Sequence, residues 1–403
     1  MTATAMPQRT RKRILVVGPF MHQPGHFTTY PTDLARGFVI NGAEVTLLSP
    51  FAPALPIPPD APYRHLCLAA MQLDFGKLMS AAWRRLQNAP ILLALAWIVL
   101  NTHKGDYDLV YWTDFKPDNQ QSTWPLALAR ALGLYRHRTA LTEHHNFSWS
   151  RHRLQRLFRL DRLRLRNIKL IVHSIKLLDW VRLNMGWPGK GQYVPYGLWP
   201  APASPYDRLA ARSILGIAPD ARVLLVFGIQ AIRRKEIDTL ATALETLTLD
   251  RPLVVVFAGM RIRDEAHPFD APTLRGKPHL TVHRHEIFIA EDEVNAHFAA
   301  ADAVWAYYGS FIGASGVLTQ AIAYGRLSIC ANAGESGDLA RQYGIGCSPP
   351  TDDAAGVAQV LRRFMTLSAD EQAGFEAAAC AAASELAWPN VTRKILDYTF
   401  PHA

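Results

Sequence analysis

The segment from Ala301 to Ala331 constrains the fold of this chain more than any other part of the sequence. Residues 301–308 form a hydrophobic run that predicts a buried strand. After a loop, Ser315 is a suitable N-cap for a helix that Gly325 would end. Residues 327–331 then predict a second buried strand, so the segment is the strand–helix–strand unit from which parallel sheets are built.

The start of this predicted helix is also a candidate anion site. Gly316 would let a ligand closely approach the first backbone amides, those of Gly316, Val317 and Leu318. Unpaired amides and the helix macrodipole both favour a phosphate group at such a position. The alternative interpretation of the segment is an ordinary strand–helix–strand unit without a ligand.

The same alternation of strands and helices occurs twice along the 403 residues. The other predicted strands are 13–18, 44–48, 109–112, 139–142, 170–173, 223–228, 253–259 and 279–282. A proline-containing stretch, 197–206, separates the two series and predicts a linker. The chain exceeds the size of a single small core, so we expect two α/β domains, each a Rossmann-like doubly wound parallel sheet, facing a central cleft.

Composition excludes several other classes of protein. Hydrophobic residues make up 49% of the chain, which predicts a globular protein. The longest apolar run, 91–100, is shorter than the roughly 20 residues that cross a bilayer, so a core helix is predicted there. The four cysteines are widely separated without metal-ligand spacing, so no metal site is predicted and a reducing cytoplasm is expected.

The formal charge of +9 is concentrated in one segment, Arg151 to Lys169. Its arginines are separated by apolar residues at helical spacing, which predicts a basic amphipathic helix. Such a helix fits an anionic membrane surface, and a solvated helix face is the alternative. No stacking platform or zinc motif accompanies the segment, so we do not expect nucleic acid as a partner.

The order of these elements resembles the GT-B glycosyltransferases, and the second half is most similar to family 4. The matching pieces are Pro195-Tyr196-Gly197, the stretch from Gly228 to Leu240, Ala301-Asp302, Ala321-Ile322-Ala323-Tyr324-Gly325, Asn332-Ala333-Gly334 and Trp388. The resemblance implies an N-terminal acceptor-side domain, 1–198, onto which residues 386–403 pack back. It also implies a C-terminal domain, 207–385, that binds a nucleotide sugar.

The resemblance also implies how the donor is held in the C-terminal domain. Lys235 and one of Arg233 and Arg234 would hold the diphosphate of the donor, beside Gly228. The alternative for these cations is a basic helix start in solvent. The amides of Gly316, Val317 and Leu318 after Ser315 would take the other side.

Two positions depart from the family pattern. Gln320 stands where the family usually has a glutamate on the ribose hydroxyls, and Ile312 replaces the second glutamate of its pair. Glutamine can still donate and accept hydrogen bonds with a diol, although without charge assistance. The paired-glutamate signature is therefore absent.

In the first domain, the resemblance places His144 against the donor sugar. Glu143 or His145 would instead be the base for the acceptor hydroxyl if the reaction were inverting. Gly25, after the first strand, resembles a glycine-rich loop that faces the diphosphate, with a plain turn as the alternative. Topology adds Asp114 and Lys116 as candidates for the acceptor side.

We therefore expect a glycosyltransferase that moves a sugar from a nucleotide-diphosphate donor to a glycolipid or polysaccharide acceptor. By family analogy it would be retaining and would need no metal or other cofactor. The expected location is the cytoplasm, with peripheral attachment to the cytoplasmic face of a membrane through Arg151–Lys169. The alternatives are a non-catalytic nucleotide-sugar-binding homologue and a GT-B-fold sugar-nucleotide epimerase.

Overall fold

The chain folds into two compact units. A computed structural model describes residues 11–23, 25–69, 89–114, 120–144, 168–185, 191–201, 207–230, 232–233, 235–261, 266–309 and 314–401. Unit 1 comprises Met1–Pro195 and Trp388–Ala403, and unit 2 comprises Tyr196–Ala387.

Unit 1 is built on a seven-stranded sheet with the strand order β3-β2-β1-β4-β5-β6-β7. The strands, all paired in parallel, are β1 (Arg13–Val17), β2 (Glu44–Ser49), β3 (Arg64–Cys67), β4 (Leu109–Trp112), β5 (Thr139–Glu143), β6 (Ile168–Val172) and β7 (Gly191–Tyr193). Its described helices are α1 (His26–Ile40), α2 (Ala89–Asn101), α3 (Gln120–Ala131), α4 (Ile175–Met185) and, from the end of the chain, α13 (Trp388–Thr399).

Unit 2 is built on a six-stranded parallel sheet with the strand order β10-β9-β8-β11-β12-β13. The strands are β8 (Arg222–Phe227), β9 (Leu253–Ala258), β10 (Leu280–His285), β11 (Ala303–Ala306), β12 (Leu327–Cys330) and β13 (Gly346–Cys347). The described helices are α5 (Arg208–Ile214), α6 (Ile237–Thr246), α7 (Pro272–Arg275), α8 (Glu291–Ala300), α9 (Gly316–Ala323), α10 (Gly334–Tyr343), α11 (Ala354–Thr366) and α12 (Ala369–Glu385).

The hydrophobic composition of the central strands explains their positions. Every residue of β9 and of β11 is buried, as parallel strands covered on both faces by helices require. On one face of the sheet, Leu240 and Leu244 of α6 share a core cluster with Leu361 of α11. All three leucines have no solvent exposure, and burying each such side chain contributes roughly 1.5–3 kcal/mol. The structure confirms the predicted class, two doubly wound α/β sheets.

The closing helix α13 belongs to unit 1 and packs closely on α1. A Cβ atom placed on Gly37 of α1 would lie only 2.8 Å from the Thr392 Cγ2 of α13. The side-chain amide of Asn41 donates hydrogen bonds to the Pro389 carbonyl at 2.7 Å and to the Thr392 hydroxyl at 2.8 Å. Glycine at position 37 therefore allows the two helices to approach one another.

Several elements differ from the sequence prediction. Residues 168 and 169, predicted as the end of a basic helix from Arg151 to Lys169, lie in β6, paired with Thr139 and Ala140 of β5. A short apolar run fits either element, and here pairing with β5 decides for a strand. The rest of that segment, 151–167, lies outside the described residues.

The sequence after β1 predicts a helix only from about Thr32 to Asn41. Helix α1 begins earlier, at His26, and it contains Pro31. The hydroxyl of Thr28 donates to the carbonyls of Met21 and Gln23, at 2.8 and 2.9 Å, which fixes the first turn to the preceding loop. Among the described residues, no helix is both long enough and apolar enough for a bilayer crossing.

Candidate functional site

In each sheet, the strand order reverses at one position. The reversal lies between β1 and β4 in unit 1 and between β8 and β11 in unit 2. Loops leave in opposite directions at such a point, so a crevice opens outside the carboxyl ends of the two strands, where ligands bind in doubly wound sheets. The candidate residues of both units lie at these ends.

In unit 2, Lys235 is held at the carboxyl end of β8. Its ammonium donates a hydrogen bond to the Phe227 carbonyl, at the last residue of the strand. The indole N–H of Trp305, on the neighbouring β11, donates to the Lys235 carbonyl at 2.7 Å. Lys235 is only 5% exposed, and its Nζ lies 6.0 Å from the centroid of the Tyr308 ring. An anion next to such a buried cation would be attracted more strongly than in water, because the surrounding medium has a low dielectric constant.

The opening of α9 lies beside the same lysine. A Cβ atom placed on Gly228 would lie 3.7 Å from both the Lys235 Nζ and the Val317 Cγ2. Gly228 has a φ of +86°, which favours glycine, and it follows the last residue of β8. The structure thus brings together Gly228, Lys235 and the first turn of α9 at the position where the strand order reverses.

Ser315 caps α9 as predicted, and the cap determines which amides remain available to a ligand. The Ser315 hydroxyl accepts a hydrogen bond from the Leu318 amide at 3.2 Å, so the predicted role of Leu318 as an anion donor is already taken by the cap. The amides of Gly316 and Val317 have no acceptor within the helix, as the first turn of any α-helix requires. Gly316 is exposed, and Gln320, one turn later, is half-buried.

The structure distinguishes the two candidate arginines only in part. Arg233 is exposed, whereas Lys235, two residues later, is buried. Arg234 lies outside the described residues, as do Ile312 and the rest of the loop 310–313. Of the described cations in this cluster, Lys235 is therefore the one whose side chain the fold holds in a fixed position.

Two acidic residues of unit 2 carry no signal in the sequence that would have identified them. The Asp352 carboxylate accepts hydrogen bonds from the Tyr307 hydroxyl at 2.8 Å and from the Asn332 amide at 2.7 Å, which joins the turn after β12 to β11. The Glu335 carboxyl, in the first turn of α10, is 3% exposed, and within the described residues neither of its oxygens has a hydrogen-bond partner. Burial, with a smaller effect of Asp338, raises the pKa of Glu335 well above its usual value.

In unit 1, His144 lines a small pocket at the carboxyl ends of β1, β4 and β5. The pocket is lined by Phe20, His26, Phe27, Tyr30, Pro31, Thr113, Asp114 and His144. The His144 Nε2–H donates to the Thr113 carbonyl at 2.9 Å, which fixes a hydrogen on this ring nitrogen. The Tyr30 ring meets the His144 ring edge-on, with 4.4 Å between centroids.

A buried hydrogen-bond network stabilises the position of His144. The His173 Nδ1–H donates to the Val194 carbonyl at 2.7 Å, and its Nε2 accepts from the Tyr30 hydroxyl at 3.0 Å. Burial lowers the pKa of His173 to about 4, although hydrogen bonds to the carbonyls of Val194 and Pro195 oppose the shift. His173 is therefore neutral at pH 7, and it holds Tyr30 in contact with His144.

Asp114, rather than Glu143, lies in the lining of this pocket. Glu143, the last residue of β5, is 2% exposed and does not line the pocket, which argues against its predicted role as a base. Asp114 follows β4, is 5% exposed and lines the pocket with His144. The alternation of side chains along a strand separates Glu143 from His144, although they are neighbours in sequence.

Gly25 precedes α1 with a φ of +76°, and a Cβ there would meet no atom within 4 Å. Its conformation accounts for the glycine, while the next residue, His26, lines the pocket. His145 and Lys116 lie outside the described residues. Within the ranges that the structure describes, no group of three or more His, Cys, Asp or Glu residues could hold a metal ion.

Two doubly wound parallel sheets, with candidate binding residues at their carboxyl ends, give the chain the α/β architecture of the GT-B class of fold. No protein-family model and no curated protein matches the sequence. The solved structures that it is similar to include a glycosyltransferase from Rickettsia africae ESF-5, with a TM-score of 0.72 and 14% identity over 98% of this chain and 100% of that one. Anabaena HepE in complex with UDP has a TM-score of 0.65 and 17% identity over 96% of this chain and 98% of that one. The lipopolysaccharide-biosynthesis glycosyltransferase WaaG has a TM-score of 0.60 and 16% identity over 96% of this chain and 100% of that one.

Proposed function

We propose that this protein is a glycosyltransferase that transfers a sugar from a nucleotide-diphosphate donor without a metal ion. The single observation that carries the proposal is the convergence of Gly228, the Lys235 ammonium and the first turn of α9 at the reversal of strand order in unit 2. One fixed cation and a helix start with unpaired amides are complementary to a diphosphate.

The chemistry of transfer explains why such a site would be catalytic. As the glycosidic bond breaks, the leaving diphosphate gains negative charge, which Lys235 and the amides of Gly316 and Val317 would stabilise. Donors held in place before the reaction need no reorganisation, and removing one from a comparable site lowers the rate by about 10²- to 10³-fold. The exposed Arg233 would add positive charge to the site, and Gln320 would bind the ribose hydroxyls.

The nature of the donor base is supported by similarity only. HepE, a protein with the same fold, has been solved in complex with UDP and with UDP-glucose. UDP is therefore the first ligand to test on this chain. Phe288, which follows β10 and is 72% exposed, is available for stacking with a nucleotide base.

The pocket of unit 1 is the proposed sugar and acceptor side. His144 presents a fixed tautomer there, and Asp114 supplies a carboxylate in the same lining. An inverting reaction would use Asp114 as the base, in place of Glu143, whereas a retaining reaction would use His144 only for positioning. The acceptor we propose is a glycolipid or glycan, with the arginine-rich segment 151–167 attaching the protein to an anionic membrane surface.

A non-catalytic nucleotide-sugar-binding protein is the second candidate. It is favoured by one observation, the replacement of both family glutamates by Ile312 and Gln320. Such a protein would keep the diphosphate site and bind UDP without turning over a donor.

Calorimetry followed by a turnover assay separates these functions. We expect UDP to bind the purified chain, and UDP release from a panel of UDP-sugars to identify the donor. UDP binding without turnover of any donor or epimerisation would establish the non-catalytic function, and no binding of any nucleoside diphosphate would refute the donor site itself. Flotation with anionic vesicles, at low and high salt, tests the membrane proposal separately, because neutral vesicles should not bind.

A further inference from the structure

A second cluster of charged side chains lies at the amino ends of the strands in the unit 2 sheet. Arg222 is the first residue of β8, Asp302 directly precedes β11, and Arg326 directly precedes β12. These are the amino ends of parallel strands, whereas Gly228 and Lys235 lie beyond the carboxyl end of β8. The six residues of β8 separate the amino and carboxyl ends of the strand by about 20 Å.

The cluster contains more arginines than carboxylates. The Arg212 guanidinium pairs with the Asp302 carboxylate at 2.7 Å. Arg208 also pairs with Asp302, at 3.5 Å, and with Glu376, which Arg326 approaches to 3.7 Å. Two carboxylates are thus already shared by three arginines.

Two more arginines join the cluster through hydrogen bonds to backbone carbonyls, and Arg222 also lies over the Phe364 ring, 5.8 Å from its centroid. Arg222 donates a hydrogen bond to the Leu367 carbonyl, and Arg251 donates to the Asp220 carbonyl at 2.9 Å. In the described part of the chain neither guanidinium forms a salt bridge with a carboxylate. Arg222 is 9% exposed, and its buried Nε has no acceptor among the residues that the structure describes. Burial lowers the pKa of Arg222, Asp302 opposes this effect, and the nearby Arg251, Arg208 and Arg212 add to it.

These side chains line an open pocket. Its lining includes Arg208, Arg222 and Arg251 together with Gln372 and Glu376. The Gln372 amide is 4% exposed and donates to the Asp302 carbonyl at 2.9 Å and to Glu376 at 3.0 Å, so the wall behind the arginines is fixed by hydrogen bonds. An anion in the pocket would reduce the repulsion among cations that the fold already holds together.

We propose that this pocket binds a phosphate-bearing ligand, at a site distinct from the proposed donor site. A phosphomonoester has a charge of about −1.5 to −2 at pH 7, opposite in sign to the excess charge of the cluster, and its oxygens suit the fork of donors on a guanidinium. The phosphate could belong to a soluble metabolite, such as a sugar phosphate, or to a phospholipid headgroup. Both share the chemistry that the arginines recognise, and neither depends on the proposed transferase activity.

Thermal unfolding with inorganic phosphate and with a hexose phosphate tests this site, using chloride at equal ionic strength as the reference. At ten times its dissociation constant, a ligand should raise the melting temperature of this unit by about 3 °C or more. Arg251→Gln, an exposed substitution that should not affect folding, should weaken binding by about tenfold or more, because it removes a charge-assisted donor. The control Arg275→Gln removes an exposed arginine of the same unit that pairs with Asp270, and it should leave binding unchanged.

A second variant, Lys235→Met, shows which site the phosphate occupies. The shift should persist in Lys235→Met and be lost in Arg251→Gln, and the opposite pattern would overturn the proposal by assigning the phosphate to the donor site. Vesicles containing a phosphomonoester lipid distinguish the two sources, because Arg251-dependent vesicle binding without any effect of the soluble phosphates would identify a headgroup. The proposal is also overturned if neither soluble phosphate nor these vesicles show a dependence on Arg251.

Discussion

Replacing Lys235 by methionine should separate ligand binding from folding. Methionine keeps a long unbranched side chain but removes the ammonium that donates to the Phe227 carbonyl. The Trp305 indole would still donate to the backbone carbonyl of residue 235, so the loop should keep its position. The substitution therefore changes charge much more than it changes shape.

The expected sizes of the two effects differ. A hydrogen bond to a charged group contributes about 1.5–3 kcal/mol, so losing the ammonium should weaken UDP binding by roughly 10- to 150-fold. For folding, the loss of one hydrogen bond to Phe227 costs about 1 kcal/mol and is opposed by removing a cation that is only 5% exposed. The free energy of unfolding should therefore change by less than about 1 kcal/mol.

Titration calorimetry with UDP and urea unfolding of the same preparations measure both quantities. Lys277→Met is the matched control, since Lys277 is a half-buried lysine of the same unit that donates to the Glu245 carbonyl at 3.2 Å. It should change neither quantity appreciably. Unaltered UDP affinity in Lys235→Met, or a loss of stability as large as the loss of binding energy, would refute the reasoning.

Three further perturbations test other parts of the molecule. Gln320→Glu should tighten UDP binding, because a carboxylate accepts charge-assisted hydrogen bonds from ribose hydroxyls, and calorimetry showing a collapse of binding would place the ribose elsewhere. The folded pKa of His173 is about 4, below its usual value of 6.5, so its contribution to stability is complete above pH 6.5 and is lost as the pH falls towards 4. The urea midpoint should accordingly fall less steeply between pH 6.5 and 4 in His173→Gln, and an identical slope would contradict the assignment. Gly37→Ala should destabilise the fold by about 1–3 kcal/mol, because the new Cβ would lie 2.8 Å from Thr392. Gly374→Ala lies at an exposed position of α12 with open space around it, and it should stabilise the fold by up to about 1 kcal/mol. Urea unfolding of the two variants would contradict this if they changed stability in the same direction.

The sequence predicted those elements whose signals are local. The central strands β1, β4, β8, β9 and β11 are continuous hydrophobic runs, and each was located to within a residue or two. The Ser315 cap and the Gly325 stop of α9 were predicted for the same reason, since a cap depends on residues within one turn. The edge strands β3, β7 and β13 were not predicted, because each has only two to four residues and pairs with a single neighbouring strand.

Tertiary structure alone decided which side chains share a site. The sequence alone could not show that the strand alternation buries Glu143 away from the pocket while the fold brings Asp114 to His144. Nor could it place Arg222, Arg251 and Arg208 around one pocket, because no local pattern connects residues that meet only when parallel strands align.

The sequence by itself thus determined the fold class and the proximity of a cation and a helix start to strand ends. The family resemblance predicted that Lys235 and the start of α9 share a site, and the structure places the Lys235 Nζ and the Val317 side chain next to Gly228. The physical reason is that periodicity and capping act over a few residues, whereas the order of strands in a sheet depends on packing between distant parts of the chain.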